Sequence, residues 1–221
     1  MRIGLLQCDD VAPELRERHG NYPAMFERLF TSVDPALTFQ VWRCLDGELP
    51  DDVDAVDAWL TTGSKVGVRR LWEANRPLVG ICFGHQLIAK ALGGEVVKSS
   101  RGWGVGMSFN DVAQRADWMD PWQEGLDLVV SHQDQVNTLP PNARVLAGSD
   151  FCPRYLMQVG ECFLGVQGHP EFSKAYSADL MRLRRDQVGA SRVREGLASL
   201  DAPVDDQLMV RWILNFMRRC F

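Results

Sequence analysis

The sequence predicts an α/β fold: a mostly parallel central sheet with helices on both faces, followed by a strand-rich second half. Three observations carry this. Through about the first 90 residues, apolar runs of strand length alternate with amphipathic runs of helix length, in the order β-α-β, β-α-β-α. From residue 95 to 167, short apolar segments follow one another between turn signals such as Pro140-Pro141-Asn142 and Gly160. Amphipathic helical patterns then close the chain.

Residues 2–8 read as the first strand, and 9–20 as a polar loop. Met25, Phe26, Leu29 and Phe30 form one stripe of a helix over 22–30, and Phe39 and Val41 alternate in a strand over 38–44. An acidic loop containing Pro50 leads to a short strand over 55–61, which ends in Thr61-Thr62-Gly63-Ser64. A brief helix over 68–75 passes through Pro77 into the apolar run Leu78-Val79-Gly80-Ile81. Leu87, Ile88, Ala91 and Leu92 then share a helix face, which Gly93-Gly94 ends. Further strands are expected over 95–98, 105–110, 126–130, 144–147, 155–159 and 163–167. One helix is expected over 173–188. Another over 205–219 carries Leu208, Met209, Trp212, Ile213 and Phe216 on one stripe, with Asp205 and Asp206 suited to its N-terminus. Residues 189–202 show no clear pattern. No repeat or linker interrupts the chain, so 1–221 reads as one domain.

Composition narrows the function. With 46% hydrophobic and 24% charged residues, the chain has the balance of a globular protein with a real core. A net charge of −5 without basic blocks argues against nucleic acid or an anionic membrane as partner. The densest basic run, Arg182, Arg184, Arg185, Arg192 and Arg194, reads as solvated helix faces. No segment approaches the ~18 apolar residues of a membrane helix, and no export signal is read at the N-terminus. The cysteines at 8, 44, 82, 152, 162 and 220 are therefore expected as reduced thiols in a cytoplasmic protein. No Cys/His spacing suits zinc, and neither metal nor cofactor is expected.

The chemistry concentrates in Gly80-Ile81-Cys82-Phe83-Gly84-His85-Gln86. This is a strand, a cysteine at a sharp turn and a helix, with the spacing G-x-C-x-G of a nucleophile elbow. Gly80 and Gly84 leave space where a Cβ would clash. The N–H groups and dipole of the helix start favour negative charge at the sulfur's position, and the Phe83 N–H can face a developing oxyanion. The blander reading is a buried strand-end cysteine. A second motif, Gly168-His169-Pro170-Glu171-Phe172, lies between a strand and a helix. A bend at Pro170 can bring the Glu171 carboxylate behind the His169 imidazole, giving a base oriented by an acid. Taken alone, this segment could equally be a turn with a solvated glutamate.

Both motifs together resemble the class I glutamine amidotransferase family. Three further segments match in the family's order: Thr62-Gly63-Ser64-Lys65, Gly102-Trp103-Gly104-Val105-Gly106 and Ser131-His132-Gln133-Asp134-Gln135-Val136. The likeness runs from about residue 60 to 172 and is nearest to stand-alone members, including γ-glutamyl peptide hydrolases. It implies a flavodoxin-like fold and a cysteine-dependent hydrolysis of a γ-glutamyl amide. In that reading Cys82 attacks the side-chain amide carbon to give a γ-glutamyl thioester, His169 moves protons and Glu171 orients it. The backbone N–H groups of Gly63 and Phe83 would form the oxyanion hole. Gln86 would meet the substrate's α-amino-acid end, and Ser131, His132 and Asp134 would line the same pocket. His85 is expected to pack and hydrogen-bond beneath the elbow. One departure stands out: only residues 64 to 76 lie between Gly63 and Pro77, a shorter crossover than the family's. It leaves one wall of the pocket low.

The partner implied is a small glutamine-like or γ-glutamyl molecule. Three rivals are a γ-glutamyl peptide hydrolase, an ammonia-donating subunit of a separate synthetase and a non-catalytic binding homologue. Intact Cys82, His169 and Glu171 argue against the last. Intracellular-protease-like folds also use an elbow cysteine, but their acid lies elsewhere in the chain. If Cys82 is the nucleophile, a glutamine-mimic electrophile should alkylate it well before the other five cysteines. Mass spectrometry that found Cys8 or Cys220 labelled first, with Cys82 untouched, would overturn the assignment.

Overall fold

The computed structural model describes residues 1–62 and 65–220. An eight-stranded sheet runs in the order β2-β1-β3-β4-β12-β11-β10-β7. Its strands are β1 (Arg2–Gln7), β2 (Thr38–Arg43), β3 (Ala58–Thr61), β4 (Leu78–Ile81), β7 (Asp111–Val112), β10 (Ala143–Gly148), β11 (Leu156–Val159) and β12 (Phe163–Val166). From β2 through β12 all neighbours are parallel, and β11, β10 and β7 extend the sheet antiparallel. This is the mostly parallel, flavodoxin-like architecture the sequence predicts.

Side-chain alternation along the central strands explains the layering. Ile3, Leu5, Leu60, Val79, Ile81, Leu164 and Val166 point to one face. There they meet Phe26 and Phe30 of α2 (Tyr22–Val33) and Trp212, Ile213 and Phe216 of α8 (Asp206–Arg218). Leu6, Trp59, Leu78 and Phe163 point to the other face. They meet Val68 and Leu71 of α3 (Lys65–Glu73) and Leu87 and Ile88 of α4 (Phe83–Ala91). The crossover between β3 and β4 therefore carries a helix despite its shortness.

Two small antiparallel sheets flank this body: β5 (Glu95–Lys98) with β9 (Asp134–Thr138), and β6 (Gly104–Ser108) with β8 (Leu128–His132). A third core joins β6 and β8 to α5 (Lys174–Leu183) and α7 (Ala190–Ser199) through Val105, Met107, Val129, Leu180, Met181 and Val193. Among the described residues, no helix is long and apolar enough to cross a membrane.

Several expectations change. The polar loop over 9–20 contains a seven-residue helix, α1 (Pro13–His19): Pro13 and Glu14 open it, basic residues close it and Leu15 is buried. The patternless stretch over 189–202 contains α7; tight packing supports this helix, with Gly196 lying against Gly106 of β6 and the Ser199 hydroxyl accepting from the Met107 N–H at 2.9 Å. The single helix expected over 173–188 breaks at Arg184 into α5 and α6 (Arg185–Val188). Residues 134–138, read only as pocket wall, also form β9 by pairing with β5.

Glycine contacts give a stability test. A Cβ on Gly84 would lie 2.2 Å from the Thr61 carbonyl oxygen, whereas a Cβ on Gly125 meets its nearest neighbour at 3.7 Å. Gly84→Ala should lower stability by about 1–3 kcal/mol in urea unfolding, and Gly125→Ala should stay within about 0.5 kcal/mol of the parent. Equal effects would show that the close approach at Gly84 is not what constrains the turn.

Candidate active site

Cys82 follows the last residue of β4 and precedes α4, so its backbone must reverse from strand to helix within one residue. It does so at φ 48 and ψ −99, a left-handed conformation that costs a non-glycine residue about 1–3 kcal/mol. Its neighbours hold it there. A Cβ on Gly80 would meet the Gly84 backbone at 2.5 Å, so both positions of the G-x-C-x-G pattern need glycine. The Cys82 N–H donates to the Val166 carbonyl at 2.7 Å, which ties the turn to β12.

That bond joins the two motifs. β4 and β12 are adjacent and parallel, with Gly80 opposite Gly165 and Ile81 opposite Val166. The residues just past both strands therefore emerge at one carboxyl edge, where parallel sheets collect ligands. His169 Nδ1 lies 2.7 Å from Glu171 Oε1, and the His169 carbonyl closes a turn around Pro170 by accepting from the Phe172 N–H at 3.3 Å. The imidazole stacks on Phe172, with ring centroids 3.8 Å apart and planes 7° from parallel. Cys82, Phe83, Ser131, His169 and Glu171 line one cleft of about 360 Å³.

Burial opposes a charge on His169, but the charges at Cys82 and Glu171 outweigh it and push the imidazole pKa up to about 10. Glu171 is buried, and its Oε2 has no hydrogen-bond partner among the described residues. The other pocket histidine behaves oppositely. His132 is buried and held near pKa 4 by desolvation, with Nδ1 3.1 Å from the Asp134 carbonyl. It is a neutral wall at neutral pH.

Gln86, His132 and Asp134 line a second recess of about 300 Å³, which opens onto the same cysteine. Both amide hydrogens of Gln86 are engaged: Nε2 donates to the Asp134 carbonyl at 2.8 Å and to Gln167 Oε1 at 3.1 Å. The fully buried Gln167 passes the chain on, its Nε2 donating to Cys82 Sγ at 3.4 Å. Phe83 opens α4, where a backbone N–H has no acceptor within the helix. Gly63, the other expected backbone donor, lies outside the described residues, as does Ser64. His85 is fully buried with its ring against Gly165, but the expected hydrogen bond is absent: neither ring nitrogen has a partner among the described residues. Burial pushes its pKa down to about 3, so the ring stays neutral.

The sequence reading missed four lining or bridging residues. Gln167 reads as one more strand residue, and Tyr22 as helix core. Thr62 appears only as a motif neighbour. Arg184 reads as one of a solvated run; Arg182, Arg185, Arg192 and Arg194 are indeed exposed, but Arg184 is half-buried and faces the cleft, because the helix breaks there.

The chain matches the family model described as glutamine amidotransferase class-I over residues 53–182. It is 28% identical to gamma-glutamyl peptidase 2 of Arabidopsis thaliana, over 78% of this chain and 77% of that protein. It is 38% identical to the glutamine-hydrolysing subunit of GMP synthase from Pyrococcus furiosus, over 50% of this chain and 59% of that one. Among solved structures, a glutamine amidotransferase from Thermotoga maritima superposes with a TM-score of 0.74 at 16% identity, covering 99% of this chain and 96% of that chain.

The raised imidazole pKa has a testable origin. A folded-state pKa above the ordinary value of about 6.5 means that the imidazolium's contribution to stability is full below that value and is lost as pH rises through about 10. In an NMR titration His169 should stay protonated at pH 8, while His132 stays neutral down to pH 6. Cys82→Ala should lower the His169 pKa, because burial is then opposed by Glu171 alone. An unchanged His169 titration in that variant would refute the coupling.

Proposed function

The chain belongs to the class I glutamine amidotransferase family, and on that premise we propose that it hydrolyses a γ-glutamyl amide through a thioester on Cys82. The observation that carries this reading is the pairing of β4 with β12, which brings a strained, half-buried cysteine into one cleft with the hydrogen-bonded His169–Glu171 pair. The family and its relatives, named as peptidases and as a glutamine-hydrolysing synthase component, support an enzyme.

In this mechanism Cys82 Sγ attacks the γ-carbonyl carbon, and the carbonyl electron pair moves to oxygen. The Phe83 N–H meets that oxyanion. The oxyanion collapses, the C–N bond breaks, and the His169 imidazolium gives its proton to the leaving amine. Glu171 holds Nδ1, so the other ring nitrogen serves the reacting atoms. Neutral His169 then takes a proton from water as it attacks the thioester, which releases the γ-carboxylate and returns the sulfur. The chain's own residues supply every proton movement, and no metal or cofactor is required.

The leaving group of this reading is larger than ammonia. The cleft continues past Cys82 toward Cys8, Asp9, Tyr22 and Thr62, which leaves room for the amine half of a γ-glutamyl peptide. Similarity to a gamma-glutamyl peptidase over most of both chains points the same way. An ammonia-donating subunit is the second reading, favoured by the higher identity to the GMP synthase component over half the chain.

Turnover of glutamine, a γ-glutamyl dipeptide and des-amino glutamine on one preparation separates these readings. The dipeptide should be cleaved at least as fast as glutamine, and the des-amino analogue poorly. A strong preference for glutamine that rises on adding a synthetase would favour the donor subunit. His169→Ala should cost about 10³-fold or more in kcat/KM, since nucleophile and base act as a unit, and Glu171→Gln should cost less. Greater damage from Glu171→Gln would reverse the assigned roles.

A further inference from the structure

Among the described residues, Arg184 is the one cation that reaches both recesses around Cys82. It lines the cleft containing His169 and also the recess containing Gln86 and Asp134, a position it shares with Cys82 and Ser131. Its backbone, at φ −93 and ψ 16, is the joint between α5 and α6. The break turns a residue of an otherwise solvent-facing basic run inward. Among the described residues Arg184 pairs with no carboxylate; its one side-chain bond is a long one, from Nη1 to Ser131 Oγ at 3.5 Å. A guanidinium has five donors in a planar fork that fits a carboxylate two bonds at a time. Most of that capacity is unspent here, beside the reacting sulfur.

The remaining polar groups of the recess define what is missing. A γ-glutamyl substrate carries an α-ammonium and an α-carboxylate at the end remote from the scissile bond. The ammonium needs acceptors, and the exposed Asp134 carboxylate lines the recess. The carboxylate needs donors, and the expected ones are committed. Both Gln86 hydrogens are bonded to Asp134 and Gln167, and His132 is neutral, buried and bonded at Nδ1. Two cations line the recess, half-buried Arg184 and fully solvated Lys98. Desolvation strengthens an ion pair, so the half-buried fork is the better partner.

We propose that Arg184 is a specificity-determining residue that binds the α-carboxylate of the γ-glutamyl substrate through a two-pronged ion pair. This rests on the hydrolase reading above, and the test keeps the two apart. Arg184→Met should lower kcat/KM for glutamine on the order of 100-fold, mainly through KM, because one bidentate charged contact is lost. Turnover of 4-aminobutanamide, which is glutamine without its α-carboxylate, should be low and unchanged. Arg184→Lys should recover part of the loss. In parallel, the rate of Cys82 alkylation by 6-diazo-5-oxo-L-norleucine, which carries the α-amino-acid end, should fall in Arg184→Met, while alkylation by iodoacetamide, which lacks it, should not. Equal losses for both reagents, or none for either, would overturn the proposal. So would a loss confined to a γ-glutamylglycine substrate and absent for glutamine, which would assign Arg184 to the leaving group, or the same loss in Lys98→Gln in place of Arg184→Met. If the parent protein hydrolyses no γ-glutamyl amide yet labels in this Arg184-dependent way, the hydrolase reading falls and carboxylate recognition stands.

Discussion

The parallel pairing of β4 with β12 is the constraint on which everything else depends. It brings two motifs far apart in the chain to the same carboxyl edge, and it is held by close backbone approaches that tolerate no side chain. A Cβ on Gly80 would strike Gly84, one on Gly84 would strike the Thr61 carbonyl of β3, and one on Gly165 would strike the His85 ring. Three glycines thus interlock β3, β4, α4 and β12. The strain at Cys82 persists because these neighbours leave its backbone nowhere else to go. His85, neutral and with no hydrogen-bond partner among the described residues, serves this arrangement as a filler of fixed shape.

Electrostatics at the cleft run against the protein's overall charge. The chain is acidic, yet around Cys82 it gathers a histidine whose positive form is favoured and an arginine with no carboxylate beside it among the described residues. Burial alone would strip the proton from His169, as it does from His132 and His85. The difference lies in the company each keeps: His169 has Glu171 at 2.7 Å and Cys82 in the same cleft, whereas His132 has a neutral carbonyl. The amide chain from the Asp134 carbonyl through Gln86 and Gln167 to the Cys82 sulfur links the second recess to the reacting atom. Pocket wall and nucleophile are therefore one hydrogen-bonded unit.

The additions to the sheet have a different part. β6, β8, α5 and α7 share a core of their own, separate from the two layers that sandwich the sheet. From it project Ser131, His132 and Arg184, the residues that shape the recesses. Rigid central strands fix the reacting groups, and a satellite unit carries the groups that meet the remainder of a substrate.

The layer architecture and the residues of both motifs are legible along the chain, because those signals are local. Period-two strands, stripes such as Phe26 with Phe30, and glycines flanking a strand-end cysteine can be read within about ten residues. The His-Pro-Glu bend is equally local, and the structure makes its hydrogen bond. Boundaries drifted by a few residues, and α1, α7 and β9 were not legible, since partners remote in the chain stabilise α7 and β9: Gly106 lies against Gly196, and β5 pairs with β9. That Arg184 leaves a solvated run to face the cleft emerges in three dimensions alone, because a helix break rotates one residue away from its neighbours without marking the sequence. The same holds for the Gln86 hydrogens, spent within the protein, and for His169 and His132, one residue type driven in opposite directions. Charge and burial depend on which atoms meet in space, and no spacing along the chain encodes that.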